Sequence, residues 1–183
     1  LREGHDYQRH VLPQGIAITA QNDVNELFTV SYEMGIGLRS SPLLCYALDL
    51  FERSGRGDLS PSQLQRKLYQ LGTTISLYCG ADQSGITVSG IDRNLEKSLR
   101  FLHQWLRDAH IHPDVAKKVL ANTLSEREDR MQTPRAISAA LRSFAFYSDN
   151  SYFLQEPSNQ DLQKSTVAAL FSLVKDFADH ETR

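Results

Sequence analysis

Residues 60–79 read Ser-Pro-Ser-Gln-Leu-Gln-Arg-Lys-Leu-Tyr-Gln-Leu-Gly-Thr-Thr-Ile-Ser-Leu-Tyr-Cys, and the hydrophobic period changes within them from helical to alternating across a single glycine. Ser60 suits a helix N-cap. Pro61 falls at the first helical position, where its missing N–H has no partner to lose, and Gln63 completes a capping box. Leu64, Leu68 and Leu71 then form one stripe, and Gly72 supplies the C-terminal stop. From Thr73 to Cys79 the pattern alternates, with Ile75, Leu77 and Cys79 on one side and Thr74, Ser76 and Tyr78 on the other. The polar turn at 80–85 and a second alternating run at 86–91 make this a hairpin.

Downstream, a helix is expected from about Asn94, with Leu95, Leu99, Leu102 and Leu106 on its inner face and Phe101 and Trp105 flanking them. His112-Pro113 opens another, running to the charged segment Glu126, Arg127, Glu128, Asp129 and Arg130, which reads as i, i+4 pairing on an exposed face. Thr133-Pro134 opens a further helix using Ile137, Leu141 and Phe144. A loop is expected over 148–163. Ser165 then caps a last helix with Val167, Leu170, Phe171, Val174 and Phe177 inward.

Upstream, 15–21 alternates with Ile16, Ile18 and Ala20 on one face. Residues 27–34 alternate with Phe28, Val30, Tyr32 and Met34 inward and Thr29, Ser31 and Glu33 outward. These two runs read as half-buried strands joined by a turn at Asn22-Asp23, the second ending at Gly35-Ile36-Gly37. Ser41-Pro42 starts a helix with Leu43, Leu44, Ala47, Leu48 and Phe51 on its apolar face, broken by Gly55-Arg56-Gly57-Asp58.

Strands and helices come in blocks rather than in strict alternation. The expected class is therefore α+β, a two-layer sandwich of a largely antiparallel sheet with helices packed on one face. No stretch is rich enough in Pro, Gly or Ser to divide the chain, so residues 1–183 read as one domain. The chain opens at Leu1 rather than Met, which reads as a fragment of a longer protein, and its compartment stays open.

Composition narrows the partners. Hydrophobic residues make up 40% and charged residues 23%, with a formal net charge of −2. Lysines and arginines are spread along the chain, which argues against nucleic acid and anionic membrane as partners. No apolar run approaches the ~18 residues of a membrane-inserted helix. Cys45 and Cys79 both lie in apolar settings and read as two buried free thiols, a disulfide being the alternative.

Catalytic chemistry finds little support. His110 and His112 are the only close pair among six histidines, with no Cys or third His near them in sequence. They read as a solvated connection, His112 lying near a helix N-terminus. No G-x-S-x-G elbow occurs, and Gly55-Arg56-Gly57 follows a helix rather than a strand, so it is no phosphate-binding loop. No catalytic or metal-ligating residue is assigned.

In order and spacing, several segments resemble the pitrilysin/insulinase-type zinc peptidases. Pro13-Gln14-Gly15-Ile16-Ala17-Ile18 is similar to that family's opening strand. Leu43 through Leu64, then Leu68 to Gly72 and Thr73-Thr74-Ile75-Ser76, resembles its helical segment and "lG" turn into a strand. Ser89-Gly90-Ile91 with Asn94-Leu95-Glu96-Lys97-Ser98-Leu99 resembles its step into the next helix. The likeness covers nearly all of the chain from Pro13 onward and is greatest to the first domain of the C-terminal half of presequence-protease-like members.

The family's signature, His-x-x-Glu-His, holds zinc and a general base. The stretch matching it here is Tyr46-Ala47-Leu48-Asp49-Leu50, and no histidine occurs between His10 and His103. The resemblance thus implies a catalytically degenerate domain with no cofactor of its own, zinc belonging to a separate catalytic domain or subunit. Its partners would be that domain and a peptide substrate, which in the catalytic copy adds to the strand matching Thr73–Cys79. Family domains of this type also continue into a further strand beyond the last helix, where this chain stops at Asp179-His180-Glu181-Thr182-Arg183. Two other readings remain: a structural homologue of the kind found as core subunits in a respiratory complex, and an unrelated enzyme with a dispersed site.

Overall fold

The computed structural model describes residues 1–13 and 15–179. Its centre is the segment quoted above. Helix α2 (Pro61–Leu71) begins at Ser60, whose side chain accepts from Gln63 N while the Gln63 side chain accepts from Ser60 N. It ends at Gly72, which adopts φ 59°. A side chain there would be strained in the left-handed region and would press on Ile91, since a Cβ would come within 2.7 Å of it.

Strand β5 (Thr73–Cys79) follows at once and pairs antiparallel with β6 (Ser84–Ile91), which pairs on its other side with β3 (Leu27–Met34). The sheet order is β3-β6-β5. Phe28, Met34, Ile86 and Val88 are buried on the helix side, with Ile75 and Leu77 packed against them. Helices α1 (Leu44–Glu52), α2 and α3 (Leu95–Asp108) lie over the sheet, and α8 (Val167–Asp179) packs on α1 and α3. The architecture is the expected α+β arrangement of antiparallel strands and packed helices.

Strand β4 (Gly55–Arg56) pairs with β7 (Ala109–His110), tying the loop after α1 to the end of α3. Helix α4 (Pro113–Gln132) starts at His112, whose ring accepts from Asp114 N at 3.3 Å; the expected terminal position of His112 is a cap. Helix α5 (Pro134–Tyr147) follows α4 across the single residue Thr133 and has no buried residue of its own.

The structure corrects several expectations. Strand β2 (Gly15–Thr19) pairs not with β3 but with β1 (Gln8–Leu12), Leu12 opposite Gly15 across a tight turn. Gln14 lies outside the described residues. The Asn22 side chain instead folds the connection onto itself, donating to Asn25 Oδ1 and Leu27 O. Consequently Ile16 and Ile18 are exposed rather than half-buried. Helix α1 begins at Leu44, two residues past the expected proline start, and adds Leu50 to the buried set.

On α3 the buried face is Ser98, Phe101, Leu102, Trp105 and Leu106, so the stripe is rotated toward Trp105 and Leu95 is left exposed. The cause is local. Trp105 stacks on Phe51 with ring centroids 4.4 Å apart and donates from Nε1 to buried Ser54, while the Arg56 guanidinium covers the Phe101 ring.

The expected loop at 148–163 contains two short helices, α6 (Tyr152–Gln155) and α7 (Asn159–Lys164). A Ser158–Asp161 capping box and fully buried Leu162 fix the second of them. The charged run on α4 is no i, i+4 ladder, because Arg127 and Arg130 both reach across to Glu156, Arg130 through two hydrogen bonds. Thr166, not Ser165, caps α8, accepting from Ala169 N. The inward placement expected of Phe177 lies outside the described side chains, as does everything from His180 onward.

Candidate functional site

The two cysteines are bonded. Cys45, near the start of α1, and Cys79, the last residue of β5, form a disulfide with their Cα atoms 5.3 Å apart, which overturns the reading as free thiols. The reason was not local. Helix α1 lies across β5 and brings into contact two residues 34 apart in the chain.

That bond is one of three fastenings on β5 and its turn. At the strand's first residue, the buried hydroxyls of Thr73 and Ser98 meet at 2.6 Å, Ser98 Oγ donates to Asn94 O, and Asn94 Nδ2 donates to Leu71 O. Just beyond its last residue, Leu38 N donates to Gly80 O and Arg39 N to Ala81 O, both at 2.9 Å. The Arg39 guanidinium also holds both carboxylate oxygens of Asp82. Gly37 permits this approach, since a Cβ there would lie 2.5 Å from Gly80 O and 2.7 Å from the Ala81 carbonyl.

Between its fastened ends, β5 is the last strand of the sheet. Among the described residues, the only backbone partner of β5 in the sheet is β6, and no side chain bonds to the backbone of 73–79. Thr74, Ser76 and Tyr78 project outward and are exposed. An edge strand leaves alternate N–H and C=O groups open to an extended chain of almost any sequence. Chemically this offers main-chain pairing and no group transfer.

The stretch matching a zinc motif does not fit a metal. Leu50 is 1% exposed and packed in the core. The Asp49 carboxylate is engaged by Arg53 at 3.0 Å. Burial, and then the Asp49 carboxylate, push the Tyr46 phenol above its ordinary pKa, so at neutral pH it remains an O–H. Among the described residues no group of three or more His, Cys, Asp or Glu could hold a metal ion. His110 lies in β7 and His112 caps α4, so the structure gives each a place of its own. No described helix is long and apolar enough to cross a membrane.

The fold superposes on one part of the periplasmic protease PqqL from Escherichia coli with a TM-score of 0.78 at 17% identity, covering 94% of this chain and 20% of that one. The peptidase M16 inactive domain from Pseudomonas fluorescens matches with a TM-score of 0.78 at 12% identity, over 92% of this chain and 42% of that one. The fold is that of an M16 peptidase domain. A third match to an M16-type fold is the ferredoxin protease FusC, solved in complex with Arabidopsis ferredoxin, with a TM-score of 0.77 at 16% identity, covering 94% of this chain and 20% of that one. No family model and no curated protein matches the sequence. The chain therefore spans between a fifth and about two-fifths of these M16-fold proteins, and agrees with the pitrilysin-type resemblance carried by its segment order.

Two features escaped the sequence reading. The closure of 37–39 onto 80–82 had no periodic signal, although Gly37 is the glycine it requires. The fastening at Thr73 rests on Ser98, a small polar residue within an apolar helical stripe, which was the available clue.

Proposed function

We propose that this chain is a non-catalytic M16-type domain that holds an extended peptide along β5 and docks on a zinc-bearing domain, helping to enclose the peptide. The observation that carries the reading is the open edge of β5, held straight by a fastening at each end. A strand already fixed in its bound shape loses little conformational entropy when a peptide adds to it. The neighbours' descriptions support the peptidase context: one is an M16 inactive domain, and another is a protease solved with its protein partner.

Docking is supported by α5. Ile137, Leu141 and Phe144 form the apolar stripe expected from sequence, yet they are 45%, 66% and 50% exposed. A stripe of that size facing solvent suits burial against another domain.

Main-chain recognition has a direct test. A flexible peptide should bind the chain with an affinity that changes little when its sequence is shuffled. N-methylating alternate amides on the bonding edge should weaken it by about tenfold or more, since each lost hydrogen bond contributes roughly 1 kcal/mol. Equal binding of the methylated peptide would remove the β-addition reading. The chain, purified without a His tag and dialysed, should also retain well under one equivalent of zinc by elemental analysis. Stoichiometric zinc would contradict the assignment and turn attention to His110 and His112.

A further inference from the structure

We propose that Cys45–Cys79 is a redox-operated clip on the β5 edge, opened by a dithiol that attacks Cys45 and expels Cys79. The inference rests on the reading of β5 as the peptide-holding edge and adds a regulation to it. The bond joins the last residue of that strand to α1, and both cysteines are only half-buried, so a reductant can reach them. Without the bond, the hairpin end keeps its own Gly80 N to Gln83 O hydrogen bond and its ladder to β6, but its ties to the segment before α1 are the hydrogen bonds from Leu38 and Arg39 and the exposed Arg39–Asp82 pair. Such contacts open far more readily than a covalent link.

The direction of attack follows from Ser84. This residue is fully buried, and its hydroxyl donates to Cys79 Sγ at 3.3 Å. A donor at that sulfur favours the charge that develops on a leaving thiolate, and exchange is faster when the better leaving group departs. One thiolate of the dithiol bonds to Cys45 Sγ, and the S–S bond breaks with its electron pair passing to Cys79 Sγ, which then takes a proton from water. The second thiol of the reductant displaces Cys45 from the mixed disulfide. The protein gains two electrons and two protons as two thiols, and the reductant leaves as a disulfide. Oxidation closes the clip, and the peptide-ready edge is the oxidised form.

The test is amide hydrogen exchange read by mass spectrometry at labelling times of seconds, on the chain before and after dithiothreitol. Reduction should speed exchange over 76–83 by about tenfold or more while α3 stays protected in both forms. The Cys45→Ser/Cys79→Ser variant should match the reduced protein, and if it does not fold, the reduced wild type reads the same quantity. Ser84→Ala should slow reduction roughly threefold to tenfold, and a trapped mixed disulfide should sit on Cys45. Unchanged exchange over 76–83, or loss of protection throughout α3 as well, would overturn the clip. Peptide binding is measured separately in both redox states. A chain that shows the redox-dependent exchange but binds no peptide in either state would refute the β5 reading and leave the clip standing.

Discussion

Trp105→Ala is expected to lower the stability of the chain by about 3–5 kcal/mol, the largest effect of any single side-chain truncation considered. Trp105 is 1% exposed and is the largest of the fully buried side chains among the described residues. Its ring stacks on Phe51, which is itself fully buried, so removing it opens a cavity at the point where α1 and α3 meet. It also orphans the Ser54 hydroxyl, which is 1% exposed and accepts from the indole at 3.0 Å. Leaving a buried polar group without a partner accounts for about 1–3 kcal/mol of that loss. Trp105→Phe keeps an aromatic ring against Phe51 but loses the N–H and part of the buried indole volume, so it should cost less than the truncation to alanine. Urea unfolding followed by circular dichroism measures both variants. Equal stabilities for the two would mean that the ring is not the centre of the core.

Removing the disulfide is the second large effect. The bond closes a loop between residues 34 apart in sequence. Restricting the unfolded chain over a loop of that length stabilises the fold by about 2–4 kcal/mol. The midpoint of urea unfolding should therefore fall when the oxidised protein is compared with the same protein in dithiothreitol, and both forms should remain folded without denaturant. A midpoint that does not move would show that the loop is already restricted in the unfolded state or that the cysteines do not pair in solution.

The parts of the fold that were legible in the sequence are those set by neighbours in the chain. Ser60, Gln63 and Gly72 specify both ends of α2, and the period change at Gly72 specifies β5, because caps and alternation act over a few residues. Leu44, Leu48, Phe51, Leu68, Leu102 and Phe171, each on the expected apolar face of its helix, are buried in one core, and Leu99 packs against it half-buried.

What was not legible depends on pairings distant in sequence. Alternation in 15–21 shows a strand but not its partner, and β1 pairs with it instead of β3. The rotation of α3 toward Trp105 depends on Ser54 and Phe51, and Arg130 is committed by Glu156, 26 residues away. The disulfide depends on how α1 crosses the sheet. The edge position of β5 is a property of strand order, which no local pattern encodes.

Hydrogen exchange of the oxidised chain with and without a saturating, unlabelled flexible peptide tests the central claim most directly, with the peptide recovered afterwards and weighed. The account predicts slower exchange confined to Thr73–Cys79 and its turn, with the peptide returned intact. Protection located elsewhere with β5 unchanged, or a peptide returned in fragments, would contradict it.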